Sequence, residues 1–281
     1  MSLFGELRLG LGTWQMGERT LEVAREVIAV EHALEIGYRL IDTAEMYADG
    51  GAETIIGKAL KGYGLGKREN LSLVSKVLPM NASRQGTLNA CERSLKRMGL
   101  DYLDVYLLHW PGSHPIEQTI EAFIELTNKG RIRAWGISNF DLDGLRQWLY
   151  VEERLGLSGG VGCLTNQVFF GLKSRGPEFD LLPAMQALHM PLMAYTPLGS
   201  GALADHQGLV TLAKTLGCSA AQLALAWVIH HANVVAIPKS STLSRIDENF
   251  ASLSLNLTQE VLSAIDALFP PPQKRQPLAV I

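Results

Sequence analysis

The sequence predicts an α/β fold, a (β/α)8 TIM barrel formed as a single domain over residues 1–281. Three observations carry that prediction. Eight short runs rich in β-branched, aromatic and Leu residues recur along the chain, and a segment with helical spacing of apolar positions follows each one. The runs are apolar on both faces, as parallel strands covered on both sides must be. No polar linker or low-complexity tract interrupts the rhythm, and the one proline cluster, 270 to 272, comes after the last of these units.

The first run, LRLGLGT (7 to 13), leads to a helix over 20 to 37, where Leu21, Ala24, Val27, Ile28, Ala33, Leu34 and Ile36 approximate one stripe and Gly37 supplies the stop. YRLIDT (38 to 43) leads to 52 to 61, LSLVSK (71 to 76) to 84 to 98, and LDVYLLH (103 to 109) to 116 to 129. IRAWGIS (132 to 138) leads to 142 to 155, and VGCLTNQ (161 to 167) to 181 to 189. PLMAYT (191 to 196) leads to 206 to 231, interrupted near Gly217, and VVAIPK (234 to 239) to 243 to 251. The strand ends at 13, 42, 76, 109, 138, 167, 195 and 239 keep the beat of β/α units. An open doubly wound sheet is the alternative. Its dinucleotide-binding form would show GxGxxG after the first strand, whereas Gly10-Leu11-Gly12 is followed here by Thr13, Trp14 and Gln15.

Composition narrows the function classes. Of 281 residues, 47% are hydrophobic and 19% charged, which supplies a large core and excludes disorder as the dominant state. The net charge of −3 offers no electrostatic footprint for nucleic acid or an anionic membrane, so the expected partner is a small molecule. The three cysteines, Cys91, Cys163 and Cys218, have no CxxC spacing and fit a reducing compartment. There is no basic n-region ahead of an apolar h-region and no apolar run of membrane-spanning length. A soluble, cytoplasmic protein acting as a monomer is expected.

A barrel of this kind carries its chemistry at the C-terminal ends of the strands. The polar residues there are Asp42, with Tyr47 in the following loop, then Lys76, and His109 followed by Trp110. Later ends add Ser138, Asn139, Asn166, Gln167 and Tyr195, then Lys239, Ser240 and Arg245. A phenol of pKa about 10 donates a proton poorly at neutral pH unless a cation favours its ionised form. Lys76 is placed to supply that cation, with Asp42 holding the ammonium by a charge-assisted hydrogen bond. A neutral His109 would donate to a substrate carbonyl, so the set suits protonation of an alkoxide as it forms. Each residue also has a plainer reading: Asp42 as a turn or cap residue, Tyr47 as a loop aromatic, His109 as a hydrogen-bonded core residue, Lys76 as a snorkelling side chain. A lysine at an apolar strand end also admits a competing function, a Schiff base on Lys76 in a barrel lyase of the aldolase kind.

Other motifs fail. Gly136-Ile137-Ser138-Asn139-Phe140 misses the GxSxG elbow at its last position, and KGYGLGKR lacks the first Gly and the closing Ser or Thr of a P-loop. The histidine spacings give no HExxH, so no metal site is assigned.

With those residues in place, the chain from GLGTWQMG (10 to 17) to IPKSSTLSRIDEN (237 to 249) resembles the aldo-keto reductases. DTAEMYADGGAE, SK, LLHWP, GISNF, TNQV, AYTPLGSG and IPKS occur in family order at family spacing, and the bacterial methylglyoxal and aldehyde reductases are the most similar subgroup. The resemblance implies an NADPH-dependent reductase of small aldehydes and 2-oxoaldehydes that binds NADPH/NADP+ without a Rossmann domain. It implies Tyr47 as general acid, tuned by Lys76 and Asp42, with His109 orienting the carbonyl. Ser138, Asn139 and Gln167 would hold the carboxamide of the nicotinamide, and Tyr195 would stack on its ring. Lys239 and Arg245 would bind the adenosine 2′-phosphate with Ser240 and Thr242, while Glu248 and Asn249 reach the adenine. Gly12, Thr13, Trp14, Thr196, Leu198 and Ser200 complete the expected cofactor contacts, and Trp14, Tyr47, His109 and Trp110 the substrate pocket. Some members of this fold instead serve as cofactor-sensing subunits. Two departures stand out: Val168-Phe169-Phe170-Gly171-Leu172-Lys173 replaces the usual acidic, Tyr-His-Pro-like run, and a short tail after Phe269 predicts an open pocket.

Overall fold

The computed structural model describes residues 7–63, 65–157 and 162–280. Eight strands form one parallel sheet in sequence order: β1 (Leu11–Gly12), β2 (Leu40–Asp42), β3 (Ser72–Val77), β4 (Leu103–Leu108), β5 (Ile132–Ser138), β6 (Cys163–Phe169), β7 (Leu192–Tyr195) and β8 (Val234–Ile237). Parallel bridges from Leu9 to Ala236 and from Gly12 to Lys239 bring the first strand against the last. The Gly10 and Gly12 amides donate to the Ala236 and Pro238 carbonyls at 2.8 and 3.0 Å, which closes the barrel. The expected (β/α)8 barrel is the fold observed.

The helices are α1 (Val23–Ile36), α2 (Gly51–Tyr63), α3 (Arg84–Met98), α4 (Ile116–Asn128), α5 (Leu142–Arg154), α6 (Leu181–Ala187), α7 (Gln207–Thr215), α8 (Ala220–His230), α9 (Leu243–Ala251) and α10 (Gln259–Leu268). Gly37 ends α1 at φ 118°, the left-handed conformation that glycine adopts without steric penalty. The segment 206 to 231 is two helices. Gly217 turns the chain at φ 66°, and Ser219 restarts it with a capping box to Gln222.

Most of the expected elements are shorter as built: β1, expected over 7 to 13, spans Leu11–Gly12, and α6 ends at Ala187 rather than 189. β6 runs two residues further than predicted, because Val168 and Phe169 continue the ladder opposite Ala194 and Tyr195; Val161, in its expected start, lies outside the described residues. α10 was not foreseen. Thr258 caps it, and Val261 and Ile265 are its buried residues.

Two sets of apolar side chains hold the barrel. The larger fills the layer between strands and helices, and the smaller fills the interior with Leu40, Val74, Val105, Leu107, Met193, Val235 and Ile237. Side chains alternate across a strand, so the interior parity of Leu40, Val74, Leu107, Met193 and Ile237 carries forward to Asp42, Lys76, His109, Tyr195 and Lys239. The apolar plug therefore gives way, two residues later on each strand, to a ring of polar groups at one end. Among the described residues no single helix is long and apolar enough to cross a membrane; α7 and α8 pass together only as a pair bent by 84°, and α8 is largely buried.

Candidate active site

The polar ring opens into a cavity of about 1120 Å3. Lys76 lies behind its wall, fully buried at the end of β3. Its ammonium donates to Asp42 Oδ2 at 2.7 Å, to the Thr43 carbonyl at 2.8 Å and to the Tyr47 hydroxyl at 3.2 Å. Gln167 donates from its amide to the other Asp42 oxygen at 2.7 Å. All three ammonium protons and both carboxylate oxygens thus have partners, which a buried ion pair requires.

The segment between β2 and α2 positions Tyr47. Ala48 and Asp49 both take left-handed φ of 52°, and Gly50 follows at φ 83°, so the chain turns sharply and aims the phenol back at Lys76. The Tyr47 and His109 rings meet edge to face at 5.8 Å, and both line the cavity. Burial and the Asp42 carboxylate push the Tyr47 phenol well above its ordinary value. The sequence-based expectation that Lys76 lowers it is therefore corrected. The phenol faces an ion pair rather than a lone cation, and the loss of hydration together with the Asp42 charge outweighs the ammonium.

Burial, and secondarily the charge of Lys76, hold the His109 imidazole well below the ordinary histidine range, so it is neutral at pH 7. Its Nδ1 is buried without a partner. A proton there would be an unpaired buried donor, which favours the tautomer protonated at Nε2. Asn139 fixes the residue from behind: its amide donates to the His109 carbonyl at 3.0 Å, and its oxygen accepts from the Tyr195 hydroxyl at 2.8 Å. Asn139 itself sits at φ 61°, a left-handed conformation that asparagine tolerates better than most residues. Ser138 is buried and donates to the Gln167 carbonyl at 2.8 Å. Tyr195 stacks on Phe169 with ring centroids 5.7 Å apart, and the Tyr195 side chain also lines the cavity.

The cavity runs on from these groups to Lys239, Ser240, Thr242, Arg245, Glu248 and Asn249, past Thr196, Leu198 and Ser200. Thr196 and Ser200 hold left-handed φ of 49° and 56°, with Gly199 and Gly201 at 57° and 89° beside them. This tight wall packs on the sixth βα loop, where a Cβ on Gly171 would meet the Pro197 carbonyl at 2.6 Å. Lys239 and Arg245 are exposed and have no carboxylate partner among the described residues. Gly12, Trp14 and Trp110 also line the cavity, whereas Thr13 does not: it is buried, donating from its hydroxyl to the Asp42 carbonyl at 2.9 Å.

Sequence reasoning missed Gln15, Met46, Asp205, the start of α8 from Ser219 to Ala221, and Val280, all on the cavity wall. The expectation of a pocket left open by the tail is corrected in part. Arg275 ties residues after Phe269 to Asp143, Asp180 and Asp141 at 2.7, 3.1 and 3.3 Å, and Val280 then borders the cavity.

Comparison with known proteins agrees with this geometry, since the model of the aldo/keto reductase family matches residues 8–269. The chain belongs to the aldo-keto reductase family. This aldo-keto reductase is 45% identical over 278 residues to the methylglyoxal reductase YeaE of Escherichia coli K12, covering 97% of this chain and 94% of that one. It is 38% identical over 240 residues to the glyoxal reductase of Bacillus subtilis 168, covering 85% and 82%. Among solved structures, the aldo-keto reductase of Klebsiella pneumoniae in complex with NADPH superposes with a TM-score of 0.90 at 43% identity, covering 98% of this chain and 95% of that one.

Proposed function

We propose that the protein is an NADP(H)-dependent reductase of small aldehydes and 2-oxoaldehydes, methylglyoxal among them, with Tyr47 as proton donor. The single observation that carries this reading is the joining, in one cavity, of the Tyr47, Lys76, Asp42 and His109 cluster to a distant end lined by two cations without a carboxylate partner among the described residues. NADPH, when bound, supplies the hydride. The residues fit it: one continuous cavity is lined by Lys239 and Arg245, which suit a phosphate-bearing end, and by Tyr47. The relatives that reduce methylglyoxal and glyoxal, and the NADPH-bound neighbour, support the same assignment.

The chain's own groups then divide the work. Ser138, Asn139 and Gln167 offer the hydrogen bonds that orient a carboxamide, and Tyr195 offers an aromatic face, so one face of the ring is presented to substrate. Neutral His109 donates from Nε2 to the carbonyl oxygen. Tyr47, held protonated at neutral pH, passes its proton to that oxygen as it becomes an alkoxide. The Lys76–Asp42 pair contributes at that moment, when the departing proton leaves a phenolate beside the ammonium; the stabilisation is specific to the transition state. Trp14 and Trp110 form apolar walls suited to small carbonyl substrates. The test is loss of absorbance at 340 nm with NADPH and, separately, NADH against a panel of small aldehydes. Turnover that prefers NADPH is expected. Tight NADPH binding without turnover would instead indicate a sensing subunit.

A further inference from the structure

A third cation lies beside the charged end of the cavity, on a different element, in contact with one of its lining residues. Arg25, exposed on α1, places a guanidinium nitrogen 3.4 Å from the Thr242 hydroxyl. Thr242 lines the cavity and immediately precedes α9, three residues before Arg245. The carboxylates around Arg25 are engaged elsewhere: Glu22 pairs with Arg19 at 3.2 Å, Glu26 accepts from the Gly17 amide at 2.9 Å, and Asp247 holds His32 at 2.6 Å. Glu248, on the cavity wall, forms no ion pair with Arg25, Lys239 or Arg245. These three cations therefore converge on the β8–α9 connection with no carboxylate partner among the described residues.

We propose that Arg25 is a phosphate ligand of this site, completing with Lys239 and Arg245 the group that selects a 2′-phosphorylated nucleotide over its unphosphorylated counterpart. The inference rests on the reading that the cavity takes NADP(H). Three cations suit a dianion better than two, and a guanidinium fork offers paired donors to phosphate oxygens. The neutral Thr242 contact steers the guanidinium toward the loop without neutralising it. Because Arg25 belongs to α1, its removal changes no residue of the β8–α9 connection or of the proton-donating cluster and takes from the connection only the Thr242 contact.

Equilibrium titration of the full chain with NADPH and with NADH, followed by quenching of tryptophan fluorescence, tests this in wild type, Arg25→Ala, Arg25→Lys and Arg245→Ala. Arg25→Ala is expected to raise the NADPH Kd about fivefold, the scale of one partly exposed charge-assisted contact, and to leave the NADH Kd unchanged. Arg25→Lys should recover part of the loss. An NADPH Kd unchanged in Arg25→Ala but raised in Arg245→Ala overturns the role of Arg25 alone. Equal weakening of both nucleotides also overturns it, because the effect then runs through the fold. Equal affinity of wild type for NADPH and NADH overturns the cofactor reading itself.

Discussion

Replacing Lys76 by Met removes the ammonium from a site with no access to water. Asp42 Oδ2 then loses its partner while Oδ1 keeps only the Gln167 amide. Burial pushes the Asp42 carboxyl up and the Lys76 ammonium down, and their mutual attraction offsets part of that desolvation only while both are present. Breaking one side of a buried pair costs about 3–5 kcal/mol. At roughly 2–4 °C per kcal/mol for a chain of this order of size, Tm falls by about 6–20 °C. Asp42→Asn should cost a similar amount, since it strands the ammonium against the Thr43 carbonyl and the Tyr47 hydroxyl. The double variant removes both charges and leaves no uncompensated ion, so it should cost about 3 kcal/mol less than the two singles summed. Urea midpoints followed by far-ultraviolet circular dichroism at pH 7 measure all four corners of the cycle, with an unchanged m-value as the check on two-state behaviour. Additivity within about 0.5 kcal/mol would refute the reasoning, because it would mean the two groups do not interact as charges.

Three further outcomes follow from the same geometry. The kcat/KM for reduction should be flat from about pH 6.5 to about pH 9, because Tyr47 stays protonated and His109 neutral across that window; a midpoint near 7 to 8 would contradict both assignments. His109 should also make stability fall below about pH 6.5, since the unfolded chain takes up its proton before the folded one; urea midpoints at pH 5.5 and 7.5 in wild type and His109→Gln isolate that contribution. Arg275→Ala should change Tm little, because each of its three ion pairs is partly exposed, yet raise the KM for aldehydes by freeing the segment that brings Val280 to the cavity.

Most of the barrel was legible because its strands are covered on both faces and so read as continuous apolar runs. The helices between them carry their own stop signals, as at Gly37. β6 was misplaced by two residues because the same apolar character continues through Val168 and Phe169, and only the pairing with β7 sets the end. α10 escaped because it packs outside the repeating unit and followed no strand. The tetrad residues were legible because strand parity brings Asp42, Lys76 and His109 to one barrel end, with Tyr47 one short loop away. Residues such as Asp205, Ala221 and Val280 were not, since they reach the cavity from a loop, from the first turn of α8 and from a tail, whose placement is set by tertiary contacts. The direction of the Tyr47 shift was not legible either. Spacing shows that a lysine is near, but the balance between its charge, the Asp42 carboxylate and the loss of water depends on burial, which only the folded arrangement supplies.

The most direct test of the central claim is Tyr47→Phe, measured for methylglyoxal reduction and for NADPH affinity in the same preparation. Among the described residues the phenol oxygen has one hydrogen bond, accepted from Lys76 at 3.2 Å, so the fold and the cofactor end of the cavity should be undisturbed. The account predicts a fall in kcat of roughly 10²–10⁴-fold with an unchanged NADPH Kd, as expected for loss of a proton donor. A variant that retains kcat within a few-fold would contradict it, and would move the proton donor to another group on the cavity wall.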